Sequence, residues 1–95
     1  MTTFPFSILT PGGTVVEGDV TQVQIRTYTG TLGVMAGHEP IMAACPAGIV
    51  RIEQEGIWVS FQAEDHMLVT EGAKVTVLTT HAQYVVEPGG EGLRL

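Results

Sequence analysis

Basic residues are scarce in this 95-residue chain: four Lys and Arg stand against ten Asp and Glu, which gives a formal net charge of −6. The four bases, Arg26, Arg51, Lys74 and Arg94, form no cluster along the sequence. Lys and Arg neutralise the phosphates of nucleic acids and attract proteins to anionic membranes. The sequence therefore argues against nucleic acid as a partner. Direct membrane insertion is equally unexpected, because no apolar run approaches the roughly 18 residues of a membrane span.

Cysteine is nearly absent as well. The single Cys45 cannot form a disulfide within the chain, which is typical of proteins from a reducing compartment. The start of the chain, Met-Thr-Thr-Phe-Pro-Phe, lacks the basic residues and the long apolar stretch of a secretory signal.

What the chain has in quantity is β-branched residues, since thirty of its residues are Thr, Val or Ile. These side chains fit a pleated sheet better than a helix. Twelve Gly and five Pro supply the turns between short strands. We therefore expect one all-β domain over residues 1–86, a flattened sandwich or barrel of about ten short antiparallel strands. The Gly- and Pro-rich residues 87–95 are expected to form a flexible tail.

Short apolar or alternating runs mark the expected strands. Their predicted bounds are 3–9, 13–17, 20–27, 31–35, 41–45, 48–54, 57–63, 66–70, 73–79 and 82–86. The sequences Pro11-Gly12-Gly13, Glu55-Gly56 and Glu71-Gly72 read as hairpin turns, with glycine supplying the positive φ. In the predicted strands 57–63 and 73–79, apolar and polar residues alternate with a period of two. This alternation predicts that Ile57, Val59, Phe61, Val75 and Val77 face inward.

No catalytic, cofactor or metal site emerges from the motifs. His38, Cys45, His66 and His81 are scattered without the paired spacing of a zinc site. Cys45 closes an apolar run before Pro46, as a buried and inert thiol would. Glu64-Asp65-His66 is interpreted as a polar turn or an irregular edge rather than as an acid–base group.

The least ordinary stretch runs from Gly30 to Pro40 and combines three glycines, a histidine and a proline with apolar residues. It is either an irregular connection in which glycine adopts conformations that other residues avoid, or an exposed loop that meets another protein.

This stretch resembles the ε subunit of F-type ATP synthases, whose loop has the form Gly-Glu-Leu-Gly-Ile-Leu-Pro-Gly-His-Ala-Pro-Leu-Leu-Thr-Ala. The identical residues here are Gly30, Leu32, Gly33, Gly37, His38, Pro40 and Ala44. The resemblance covers about 85 residues in order. It departs from the family at Thr31, where an acid is usual, at Ala36 and Glu39, and at Glu64-Asp65-His66, where the family has Ser-Gly-Gly.

The resemblance implies a non-catalytic central-stalk subunit that couples the membrane ring of c subunits to the γ subunit. It implies a peripheral position on the cytoplasmic side of the bacterial inner membrane. The residues expected to meet γ or the c ring are Gly30, Thr31, Leu32, Gly33, Gly37, His38, Glu39, Pro40, Ile41 and Met42.

The usual ε subunit continues into a C-terminal helical hairpin, which in some members binds ATP. Residues 87–95 offer no counterpart, so we expect a short form without the hairpin and without ATP binding, or else a trimmed form of a longer chain.

Two other interpretations of the chain's function remain open. One is a stand-alone adaptor that descends from the same domain and binds another protein, which Thr31 and Glu64-Asp65-His66 would favour. The other is a small enzyme or metal protein that uses His66, Asp65 and Cys45.

Overall fold

A computed structural model describes residues 2–86 of the chain, so the expected tail at residues 87–95 lies outside the described residues. Ten strands were predicted, and ten are present among these described residues. They are β1 (Phe4–Thr10), β2 (Gly13–Val20), β3 (Gln22–Thr27), β4 (Gly30–Met35), β5 (Met42–Cys45), β6 (Gly48–Gln54), β7 (Ile57–Ala63), β8 (His66–Glu71), β9 (Lys74–Thr79) and β10 (Ala82–Val85). No helix in this described part has the length and hydropathy that crossing a membrane requires.

The strands form two five-stranded sheets that pack into a sandwich. The first sheet has the order β2-β1-β9-β8-β5 and the second has the order β10-β7-β6-β3-β4. All neighbouring strands are antiparallel except β1 and β9, which run parallel with Phe6 opposite Val75. The prediction of an all-β sandwich is confirmed, with this one parallel pair as the exception to the expected antiparallel pairing.

Two hairpin turns lie at the glycines that predicted them, Gly56 and Gly72. Glu55 and Gly56 both have positive φ (51° and 81°), which is the type I′ pattern that matches the twist of the flanking strands. Between β8 and β9, Gly72 has a φ of 61° as the first of two turn residues, as in a type II′ turn.

The core lies between the sheets and is built from the inward face of each strand. Its buried apolar members are Phe4, Phe6, Ile8, Val20, Val23, Ile25, Val34, Cys45, Val50, Ile52, Phe61, Ala63, Leu68, Val75, Val77 and Ala82. Alternation therefore predicted the inward face correctly for β9, where Val75 and Val77 are fully buried.

The prediction was wrong for Ile57, which is 58% exposed, and only partly right for Val59, which is half-buried. Ile57 directly follows the Glu55-Gly56 turn and pairs with Gln54 at the end of the β6–β7 hairpin. At this tip the Ile57 side chain remains largely in solvent. Alternation fixes the side of a strand on which a residue lies, but burial also requires something to pack above that side.

Candidate functional site

The 30–42 segment, defined as residues 30–42, connects one edge of each sheet. It comprises β4 at the edge of the second sheet, a turn at Ala36 and Gly37, an extended stretch, and Met42 at the start of β5, which is the edge of the first sheet. Gly37 has a φ of 83°, a conformation that glycine adopts without strain. The segment thus crosses from one layer of the sandwich to the other at a single end.

Hydrogen bonds hold this crossing in place. The Ile41 N–H donates to the Thr70 hydroxyl at 2.8 Å, and the Thr70 N–H donates to the Ile41 carbonyl at 3.0 Å. These bonds attach the segment to β8 immediately before β5 begins. The crossing is therefore a fixed connection rather than a loosely tethered loop.

His38 supplies a second attachment. Its ring packs edge-on against Phe4 with 5.7 Å between ring centroids. Nε2 lies 3.3 Å from the Ala73 carbonyl oxygen, and Nδ1 lies 3.2 Å from the carbonyl oxygen of Glu39. A neutral imidazole carries one N–H and donates to one of these oxygens at a time. His38 therefore anchors the segment to β1 and to the β8–β9 turn.

The predicted interface residues divide by exposure. Gly30, Thr31, Gly33, Gly37, Glu39, Pro40 and Met42 are exposed, whereas Leu32, His38 and Ile41 are half-buried. Leu32 and Ile41 pack against the core. Large apolar side chains nevertheless remain in solvent, with Met35 57% and Met42 75% exposed. Met35 and Met42 are therefore the large apolar side chains that the segment leaves uncovered.

The residues of the enzyme or metal rival are not assembled into a site. Cys45 and His66 face each other across β5 and β8, and both are buried. Burial raises the pKa of the Cys45 thiol, opposed by a backbone hydrogen bond involving Leu68, which favours the unreactive protonated form. Asp65 instead accepts a hydrogen bond from the Ala47 N–H at 3.0 Å. Within residues 2–86, no three His, Cys, Asp or Glu side chains form a group suited to a metal ion.

Glu64-Asp65-His66 forms a corner between the sheets, as the polar-turn interpretation predicted. Glu64 and Asp65 join β7 in the second sheet to β8 in the first. The Thr79 hydroxyl lies within 3.2 Å of the carbonyl oxygens of both residues, and the His66 Nδ1 lies 2.8 Å from the Glu64 carbonyl. The polar groups of this stretch thus hold the corner together.

Comparison with known proteins identifies this fold. The family model described as the ATP synthase delta/epsilon chain beta-sandwich domain matches residues 3–85. The chain belongs to this family. Both the resemblance and the sandwich fold predicted from the sequence are thereby confirmed.

The relatives are longer than this chain. Proteins named ATP synthase epsilon chain from Bacillus cytotoxicus and Bacillus thuringiensis are 35% and 34% identical to it over 83 residues. Each alignment covers 87% of this chain and 62% of the relative. The chain therefore spans less than two thirds of the length of the relatives that it matches.

Solved structures show the same fold at lower identity. A chain in the cryo-EM structure of the Euglena gracilis mitochondrial ATP synthase (OSCP, F1 and c-ring) matches with a TM-score of 0.83 and 22% identity, covering 97% of this chain and 59% of that one. A chain in the Tetrahymena thermophila mitochondrial ATP synthase structure of the central stalk and c-ring gives a TM-score of 0.71 and 12% identity, with 92% and 75% covered.

This delta/epsilon-family sandwich also has an apolar surface that the sequence analysis missed. On the outer face of the first sheet, the strand register places Leu9 beside Leu78, Leu78 beside Met67, and Met67 beside Ala44. Leu78 is 45% exposed, and Met42 lies on the same face two residues before Ala44. The row crosses four strands from three separate parts of the sequence. The pairing of β1 with β9 and of β5 with β8 brings them together. The alternating Met67 and Val69 in β8 were a partial signal.

Proposed function

We propose that this domain is the sandwich of an epsilon-type central-stalk subunit in a rotary F-type ATP synthase. It binds the γ subunit, touches the c ring, and couples the two during ion-driven ATP synthesis. Its place is peripheral, on the cytoplasmic side of the bacterial inner membrane. The chain itself performs no catalytic step and binds no ATP.

The observation that carries this proposal is the family membership over residues 3–85, together with 35% identity to a protein named ATP synthase epsilon chain. A sandwich fold alone would not support a function, because one fold hosts many functions. Here the matched range includes the whole 30–42 segment, which is the most unusual part of the sequence.

The surface of the sandwich suits a coupling role. The 30–42 segment presents residues on two sides: Met35 at the edge of the second sheet and Met42 on the outer face of the first sheet. Two neighbouring apolar surfaces at one end allow one domain to contact two partners. The hydrogen bonds of Ile41 and the packing of His38 keep the two surfaces in a fixed relation, as transmission of torque requires.

The experiment is reconstitution of an ATP synthase that lacks its epsilon subunit. Adding the 95-residue chain should restore ion-driven ATP synthesis, and the chain should co-elute with γ and with the c ring in size-exclusion chromatography. A folded chain that binds neither partner would contradict the proposal. That outcome would favour the adaptor instead, an epsilon-like sandwich that serves another protein.

A further inference from the structure

The open edge of β4 differs from the other sheet edges of the described residues 2–86. A strand at a sheet edge exposes unpaired N–H and C=O groups, and proteins usually protect it with charges, proline, a bulge or short length. β2 carries Glu17 and Asp19 and lies against an irregularity in register at Ile8 and Leu9. β5 and β10 have four residues each. β4 has six residues with no charge and no proline, in unbroken register with β3.

The backbone of β4 presents its free groups at three positions. The two-residue turn at Tyr28 and Thr29 closes on the pair Thr27 and Gly30. Such a turn closes on a hydrogen-bonded pair, and hydrogen-bonded pairs alternate with non-bonded pairs along antiparallel strands. Leu32 and Val34 therefore bond to β3, whereas Thr31, Gly33 and Met35 direct their N–H and C=O groups away from the sheet. All three of these residues are exposed.

Gly33, at the centre of this edge, has no explanation inside the domain. Its φ lies outside the left-handed region, and a Cβ placed on it would meet nothing within 4 Å. A glycine in a strand weakens the strand, and it often marks a place where another backbone approaches closely. Nothing within residues 2–86 makes that approach to Gly33. The described part of the domain therefore gives no reason for a glycine at this position.

We propose that an extended, uncharged segment of the γ subunit adds to β4 as a sixth strand of the second sheet, a mode of binding that rests on the proposed function. The main-chain groups of Thr31, Gly33 and Met35 pair with this segment. The missing side chain at Gly33 leaves space for a large or aromatic side chain on the added strand.

Charge favours this occupant over the alternatives. Residues 30–38 carry no Asp, Glu, Lys or Arg, in a chain with a net charge of −6. An uncharged segment meets no unpaired charge there, whereas a basic segment would be attracted to the acidic β2 edge. A second copy of this chain would bring another six negative charges to the contact and be repelled. Main-chain pairing also fixes register and orientation, which suits a permanent joint between two stalk subunits.

Amide hydrogen exchange tests the pairing residue by residue. In the free chain, the amides of Leu32 and Val34 should exchange slowly and those of Thr31, Gly33 and Met35 quickly. Saturation with the γ subunit should slow the latter three by about tenfold or more. If the wild-type chain does not bind γ, the proposed function fails. If it binds γ while these three amides stay fast, for example through the outer face of the first sheet, only the strand addition is overturned.

Two substitutions test the same joint by affinity. Gly33→Val should weaken γ binding about tenfold or more while leaving the melting temperature unchanged or raised. Gln83→Val, an exposed position on the opposite edge of the same sheet, is the matched control and should bind normally. Met35→Pro removes one outward N–H but no bond to β3, so it should weaken binding more than Met35→Ala does.

The opposite results would overturn the strand addition. These are normal γ binding by Gly33→Val and equal binding by Met35→Pro and Met35→Ala. Protection of the three amides by raising the concentration of the chain alone would also overturn it, because a second copy would then be the occupant.

Discussion

Phe61 in β7 and Met42 in β5 are both large apolar residues on strands, yet Phe61 is 6% exposed and Met42 is 75% exposed. Phe61 lies between the sheets and packs edge-on against Tyr84, with 6.0 Å between ring centroids. Met42 stands on an outer face at the end of an anchored segment. The same kind of side chain is buried in one place and remains in solvent in the other.

This contrast separates the residues that form the interior of the sandwich from the apolar residues that the 30–42 segment leaves in solvent. The interior of the sandwich holds the free energy of folding, because burial of apolar area is its main source. In the 30–42 segment, Val34 belongs to this interior, whereas Met35 and Met42 remain in solvent. Substitutions in the two regions should therefore affect different measurements.

The largest expected effect is in the interior. Phe61→Ala should lower the free energy of unfolding by about 3–5 kcal/mol, from lost apolar burial and the cavity that remains. Urea denaturation measures this loss. Ile57→Ala on the same strand is the matched comparison, and it should cost no more than about 1 kcal/mol because Ile57 is 58% exposed. Equal losses for the two variants would erase the contrast between interior and surface.

The next effect concerns the attachment of the segment to the sandwich. Thr70→Val removes the hydroxyl that accepts the Ile41 N–H and should cost about 1–3 kcal/mol, since a part-buried donor loses its partner. Faster amide exchange at Ile41 should accompany the loss. Thr76→Val on the adjacent strand β9 is the control, because Thr76 is half-buried but makes no comparable contact to the segment. Without a difference between these two variants, the Thr70 bonds would not be what fixes the crossing.

A smaller effect, a gain in the free energy of unfolding rather than a loss, is expected at Gly33 in β4. Gly33→Ala should raise the free energy of unfolding by about 0.5–1 kcal/mol, because alanine loses less conformational entropy in a strand and finds open space here. Thermal unfolding with calorimetry measures the gain. A clear destabilisation would mean that the domain itself needs this glycine.

The smallest expected effect at neutral pH is the contribution of Cys45 ionisation to the free energy of unfolding. The thiol is protonated at that pH in both the folded and the unfolded chain. Burial raises the pKa of the folded thiol above its usual value. Above about pH 8.5 the unfolded chain loses this proton first, so stability should fall as pH rises further. Cys45→Ala should remove that part of the pH dependence measured by urea denaturation. If the free energy of unfolding of the Cys45→Ala variant fell just as steeply above about pH 8.5, other groups would be responsible for the fall.

Much of the fold could be predicted because its signals are local. Glycines at positions 56 and 72 fix two turns through their own φ, and β-branched runs between turns form the strands. Each predicted strand lies within three residues of the observed bounds.

The features that escaped prediction depend on residues distant in sequence. Ile57 has the correct alternation but no neighbour above it, and the parallel pairing of β1 with β9 has no local signature. The candidate site divides in the same way. The 30–42 segment stood out by its glycines, whereas the row through Leu9, Leu78 and Met67 exists only after the strands are paired.

The parallel pair has a consequence for how the chain reaches its structure. Phe6 in β1 pairs with Val75 in β9. The first sheet therefore cannot form completely until almost the whole domain has been synthesised. Contacts between such distant residues slow folding, because the entropy of loop closure is lost before the contact forms. During synthesis, the free edge of β1 in the β1–β2 hairpin remains unpaired until β9 arrives. This hairpin is therefore where a chaperone would be needed first, and where a stalled chain would begin to aggregate.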